Sequence, residues 1–147
     1  MLNQYSRAEL LYGSDNMELL RGCRVAVFGI GGVGGSAVEA LARMGIGTLD
    51  LIDNDRVCLT NLNRQIFATR STVGKYKVDA ARERIADLDP EITVNTWPTF
   101  FLPENAAQFD FRQFDYVVDA IDTVTAKIQI ILQAQEAGIP VISAMGC

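Results

Sequence analysis

The sequence predicts an α/β fold, a doubly wound and mostly parallel sheet with short helices at its N-terminus. Three observations predict it. Short β-rich runs alternate with stretches of helical periodicity. Consecutive parallel strands require crossover helices, so this alternation implies a parallel sheet. A glycine-rich turn, Gly29-Ile30-Gly31-Gly32-Val33-Gly34, sits between the first strand-like run and the first long helix-like one. At 147 residues, 49% hydrophobic and 21% charged, the chain fits one domain with its own core.

The elements follow in order. Ser6 and Glu9 stand at capping-box spacing, which predicts a helix from Arg7 to Tyr12 ended by Gly13. Ser14 is placed to cap a second helix to Leu20. Arg24 to Phe28, bounded by Gly22 and Gly29, reads as a buried strand. Val38, Leu41 and Ala42 recur at helical spacing between Val33 and Met44, and Gly45 stops that helix. Leu49 to Ile52 is the next strand. Ser71 to Gly74 reads as a turn, and Lys75 to Leu88 as a helix with Val78, Ala81, Ile85 and Leu88 on one face. A short strand (93–96) and a short helix opened by Pro103 (103–109) follow. Tyr116 to Ile121 is a strand, Val124 to Glu136 a helix closed by Gly138, and Pro140 to Ala144 a last strand.

Composition excludes several classes. No apolar run approaches the roughly 20 residues that span a bilayer. The N-terminus lacks a basic-then-apolar pattern, so a cytoplasmic protein is expected. Three widely spaced cysteines (Cys23, Cys58, Cys147), no Cys-x-x-Cys pair and no histidine argue against a disulfide framework and a structural zinc site. A net charge of −5 disfavours a broad nucleic-acid surface while leaving room for a local basic patch. The chain stops directly after a strand, an exposed edge being a poor domain end. Residues 1–147 are therefore expected to be one domain truncated at its C-terminal side.

Open parallel sheets bind ligands at the carboxyl ends of their strands, here Gly29, Asp53 and the Asp119–Asp122 segment. Gly29 lets the chain leave the strand, Gly31 lets backbone N–H groups approach a phosphate, and Gly34 permits close helix–strand packing. This turn indicates a nucleotide but does not separate NAD from ATP. Asp53 suits ribose hydroxyls, with Asp55 a weaker candidate. Asn61, Arg64 and Gln65 occupy a polar loop. Arg64 forks to phosphate, and NAD sites seldom gather extra cations at the pyrophosphate. Lys75 and Lys77 open a helix where the dipole disfavours cations unless a polyphosphate is bound, with Lys77 the better placed. Asp122 suits magnesium brought with ATP, which typically uses one or two carboxylates plus phosphate oxygens. Asp119 reads as structural, and Thr123 leaves Asp122 open to a helix-cap role. Cys147 has no basic neighbour in sequence and is not expected to be a nucleophile.

The strings GIGGVG, LIDND, TNLNRQ, VGKYKV and DAID together resemble the adenylyltransferase domain of the ubiquitin-activating-enzyme-like, or ThiF-type, superfamily. Within it, LARMGIGTLDLID, ATRSTVGKYKV and IPVISAMG look most like the tRNA threonylcarbamoyladenosine dehydratases. The resemblance covers nearly the whole chain. It implies ATP held by Gly32, Asp53, Asn61, Arg64 and Lys77, with Asp122 toward Mg2+. It also implies a homodimer in which Arg7 reaches the partner's triphosphate. The implied reaction is adenylation of a carboxylate on N6-threonylcarbamoyladenosine in tRNA, then cyclisation with loss of AMP. Relatives that activate a ubiquitin-like sulfur carrier instead use a C-terminal glycine carboxylate. No general base is needed, because a carboxylate is already ionised at pH 7. A dinucleotide oxidoreductase and a non-catalytic nucleotide-binding remnant are the competing classes.

Overall fold

The computed structural model describes residues 1–145. Five strands form one sheet: β1 (Arg24–Phe28), β2 (Thr48–Ile52), β3 (Thr93–Trp97), β4 (Tyr116–Asp119) and β5 (Val141–Ser143). Their order is β3-β2-β1-β4-β5, and every described pairing between them is parallel. The chain winds outward from β1 to β3, then returns to the other side of β1. That reversal opens a crevice beyond the carboxyl ends of β1 and β4.

Alternation along β1 explains the two cores. Val25 and Val27 face α3 (Gly32–Arg43) and α4 (Lys77–Leu88), packing with Val38, Ala42, Val78, Ala81 and Ile85. Ala26 and Phe28 face α5 (Val124–Ala137), joining Ala126, Ile130, Ala134 and an aromatic cluster. The Phe28 ring lies 4.9 Å from Phe101 and 5.5 Å from Phe111, centroid to centroid. Each fully buried side chain of this size contributes about 1.5–3 kcal/mol. A sheet apolar on both faces needs these two helical layers, and the sequence supplies both.

Two glycines of the turn are required by contact. Gly29 has φ +91°, and a Cβ there would lie 2.6 Å from the Ala120 carbonyl oxygen. A Cβ on Gly34 would fall 1.6 Å from the Gly29 carbonyl oxygen. Gly34 therefore seats α3 against the turn. Gly34→Ala is expected to lose stability at the upper end of about 1–3 kcal/mol, read by denaturant unfolding.

Several boundaries differ from the sequence expectation, most by a residue or two. Helix α1 (Ser6–Tyr12) begins at Ser6 itself, which accepts from Asn3 N–H at 2.8 Å, while Asn3 Oδ1 accepts from Tyr5 N–H at 2.8 Å. The N-cap residue is thus Tyr5, without a side-chain cap bond, in place of the expected Ser6. Ser14 lies inside α2 (Ser14–Arg21), and Gly13 precedes it with no side-chain cap. Residues 103–109 do not form an α-helix. The Asn105 carboxamide accepts from Leu102 N–H at 2.8 Å and donates to Phe100 O, winding a turn before the 3-10 segment Ala106–Gln108. β4 stops at Asp119 because its Oδ1 accepts from Ile121 N–H at 3.1 Å, which turns the backbone out of the sheet.

Helices α1 and α2 bury no side chain completely; polar contacts fasten them instead. Arg21 Nη1 donates to Asp89 at 2.8 Å, and the Tyr5 hydroxyl donates to the same carboxylate oxygen. Burial pushes the Asp89 carboxyl up, but Tyr5, Arg21 and the Glu91 N–H outweigh it and hold it below the usual carboxylate range.

Candidate nucleotide-binding site

The crevice is a cavity of about 750 Å³ at the sheet's carboxyl edge. Gly29, Gly31 and Gly32 form its floor, Asp53 closes one end, and Ala120 to Thr123 form the opposite wall. Asn61, Arg64, Gln65 and Lys77 enter from the loop between β2 and α4. With Thr99 to Phe101, residues from six separate stretches converge on one space.

Asp53 is held rather than free. Its Oδ2 accepts from Ile30 N–H at 2.7 Å and its Oδ1 from Asp55 N–H at 2.7 Å. Both oxygens keep further lone pairs toward the cavity. Asn61 is buried, and its Oδ1 accepts from Cys58 N–H at 2.9 Å; its backbone carbonyl accepts from Gln65 N–H at 2.9 Å. This knot presents Arg64 and Gln65 toward the glycine turn. A Cβ on Gly31 would lie 3.7 Å from Gln65 Nε2, and one on Gly32 4.0 Å from Arg64 Cγ.

The two cations differ. Arg64 is exposed and spends Nη1 on Thr60 O (3.2 Å) and Asn63 Oδ1 (2.9 Å), leaving Nε and Nη2 without an acceptor among the described residues. The Lys77 side chain is only 9% exposed, and its ammonium sits 3.8 Å from Asp55 Oδ2, beyond hydrogen-bond range. The stem is buried while the ammonium opens on the cavity, with the exposed Asp55 carboxylate as a loose ion-pair partner, which leaves its N–H donors available to an anion. Lys77 begins α4, not Lys75 as the helix was expected to, because Tyr76 is extended (φ −59°, ψ 140°) and bridges Arg56. Lys75 points away and pairs with Glu83 at 2.8 Å.

The remaining expected residues divide. Asp122 lines the cavity, and its carboxylate has no partner among the described residues. Thr123, not Asp122, is the N-cap residue of α5, without a side-chain bond. Among the described residues no cluster of three acidic, Cys or His groups exists to hold a metal unaided. One free carboxylate still fits a magnesium ion that takes its other ligands from phosphate oxygens and water. Gly34 does not line the cavity; it packs behind the floor. Arg7, exposed on α1, also lies outside it. Cys147 lies outside the described residues. Asp119 is structural: fully buried, it accepts from Lys127 Nζ at 3.1 Å and Ser143 Oγ at 2.6 Å.

Sequence reasoning missed Thr99, Phe100 and Phe101, which wall the cavity beside Asp53. They follow the carboxyl end of β3, so the strand-end rule that selected Gly29 and Asp53 also points to them. Lys127 carried no signal, since a lysine within a helix gives no hint of burial.

A parallel sheet of this order, with a glycine turn at its switch point and Arg64 and Lys77 in the crevice, defines the nucleotide-binding class of α/β domain. The chain belongs to the ThiF family, whose model matches residues 5–147. It is 47% identical over 146 residues to tRNA threonylcarbamoyladenosine dehydratase of Bacillus subtilis, covering 99% of this chain and 58% of that protein. Against the Escherichia coli protein of the same name identity is 44%, over 92% of this chain and 51% of the relative. The crystal structure of the E. coli dehydratase in complex with ATP superposes with a TM-score of 0.92 at 42% identity, covering 95% of this chain and 58% of that one. The chain thus spans a little over half the length of the relatives it matches. Among the described residues, no helix is long and apolar enough to cross a membrane.

Proposed function

We propose that this domain binds ATP with Mg2+ and adenylates a carboxylate, serving the cyclising dehydration of N6-threonylcarbamoyladenosine in cytoplasmic tRNA. The observation that carries the reading is the convergence of Arg64 and the acceptor-less Lys77 ammonium on the glycine-floored cavity. A redox dinucleotide brings only a pyrophosphate, which the glycine turn already serves, and seldom gathers two further cations. The dehydratases named above support tRNA as the substrate in this reading.

In this reading the glycine-turn N–H groups and the start of α3 receive the phosphates, and Asp53 the ribose. Arg64 and Lys77 offset charge as the substrate carboxylate attacks the α-phosphorus in line and pyrophosphate leaves. Attack within the modified side chain then expels AMP and closes an oxazolone-type ring. The cavity lining carries three carboxylates (Asp53, Asp55, Asp122) against two cations, one net negative charge. Such a lining cannot neutralise a triphosphate alone. Magnesium at Asp122 and Arg7 from a second protomer of a homodimer offset a large part of that charge.

The test incubates the protein with ATP, magnesium and tRNA bearing threonylcarbamoyladenosine. The expected result is loss of one water from the modified nucleoside by mass spectrometry, with AMP released in step. Pyrophosphate exchange that depends on a Gly-Gly-ended carrier protein, with the tRNA unchanged, would overturn it in favour of carrier activation.

A further inference from the structure

Charge on this molecule is distributed unevenly. Residues 56–78 contain Arg56, Arg64, Arg70, Lys75 and Lys77 and not one Asp or Glu, in a chain of net charge −5. Arg21, Arg24, Arg43, Arg82, Arg84 and Arg112 each pair with a carboxylate. Among the described residues Arg7, Arg56, Arg64 and Arg70 do not, and three of those four lie on the single loop joining β2 to α4. Arg64 points into the cavity, whereas Arg56 and Arg70 do not line it and stand exposed outside.

This loop is built rather than slack. Val57 N–H donates to Lys75 O at 2.8 Å, and Gly74 N–H to Val57 O at 2.9 Å, tying the loop's two ends together. The Arg56 guanidinium stacks 4.0 Å above the Tyr76 ring and donates through Nη1 to Gly74 O at 2.9 Å. Arg70 sits in a tight turn in which Thr72 Oγ1 donates to Phe67 O at 2.7 Å and accepts from Thr69 N–H at 2.9 Å. Buried Phe67 and Ala68 anchor the segment to the core. The Arg56 guanidinium is thereby held in place, and Arg70 is carried on an ordered turn of the same loop that brings Arg64 to the cavity. Neither Arg56 nor Arg70 has a carboxylate partner among the described residues.

We infer that the 56–76 loop is an RNA-contacting surface, on which Arg56 and Arg70 take backbone phosphates of the tRNA whose modified base enters the adjoining cavity. The inference rests on the proposed tRNA reaction and adds the surface that holds the polynucleotide. The nucleotide in the cavity cannot explain these two residues, because neither reaches it. Planar guanidinium groups suit phosphate, and an acid-free loop avoids the repulsion that the chain's net charge would otherwise impose.

The test compares the protein, its Arg56→Glu/Arg70→Glu variant and an Arg112→Glu control at the opposite sheet edge. Retention of tRNA bearing threonylcarbamoyladenosine is measured across a salt series, alongside ATP affinity and thermal melting. The double variant is expected to bind tRNA about tenfold or more weakly. Its log–log salt slope should shrink by roughly 0.7–0.9 per lost phosphate contact, with ATP affinity unchanged. Arg70→Glu alone, which breaks no side-chain bond among the described residues, should weaken tRNA binding with melting unchanged. Arg56→Lys/Arg70→Lys should recover most of the binding. Unchanged tRNA affinity in the charge-reversed protein, while the parent binds and converts tRNA, overturns this inference alone. If the parent protein binds ATP but neither retains nor converts tRNA, the proposed reaction fails with it. Loss of binding to an acidic carrier protein, with tRNA retention intact, reassigns the loop to a protein partner and overturns the inference.

Discussion

Removing the charge of Lys77 or Arg64 is expected to slow carboxylate-dependent ATP–pyrophosphate exchange by about two to three orders of magnitude, roughly 2.7–4 kcal/mol of transition-state stabilisation. Lys77→Met is the sharper variant. It keeps the apolar stem, which is nearly buried, and deletes only the ammonium facing the cavity. Arg64→Ala removes an exposed group whose only bonds are local, so its stability should change little. Lys75→Ala is the control, because that lysine pairs with Glu83 outside the cavity. Its exchange rate should stay near that of the parent protein. Near-normal exchange in both Lys77→Met and Arg64→Ala would remove the polyphosphate assignment.

The second large effect is on stability. Lys127→Met is expected to cost about 3–5 kcal/mol, because it leaves the fully buried Asp119 carboxylate without its cation. Against a typical total stability of about 5–15 kcal/mol, that is a severe loss. Lys127 joins three elements: from α5 it donates to Asp119 at the end of β4 and, at 2.6 Å, to Ala144 O beyond β5. The loss should reach the site as well. Asp119 Oδ1 accepts from Ile121 N–H at 3.1 Å, and Ala120 N–H donates to Phe28 O at 2.8 Å, so this network fixes the wall that carries Asp122. Denaturant unfolding of Lys127→Met, Asp119→Asn and the double variant measures the coupling. Additive losses would show that the pair acts as two independent groups, and the positioning argument would fall.

The main architecture was legible because it rests on local chemistry repeated along the chain. β1 reads from five β-rich residues between two glycines, and α3 from the spacing of Val38, Leu41 and Ala42. The glycine turn locates the switch point, and strand-end placement then selects Asp53 and Asp122. Lys77 stood out because a cation at a helix start runs against the dipole. Helix caps were less legible. Ser6 and Ser14 have capping chemistry, but Asn3 binds Tyr5 first and Gly13 takes the junction between the helices. The 103–109 segment misled in the same way, since Asn105 competes for its backbone.

By itself the sequence determined the fold class, the location of the nucleotide turn and the kinds of residue that meet it, because periodicity and backbone tolerance are encoded within a few positions. Tertiary structure alone decided which charges are free. Lys75 and Lys77 are alike in sequence, yet one is hydrogen-bonded to Glu83 outside the cavity and the other reaches the cavity with only a loose contact to Asp55. Lys127 and Asp119, eight residues apart, meet only because α5 folds back over β4. Whether a cation finds a carboxylate depends on distances of a few ångströms between remote segments, which no local pattern specifies.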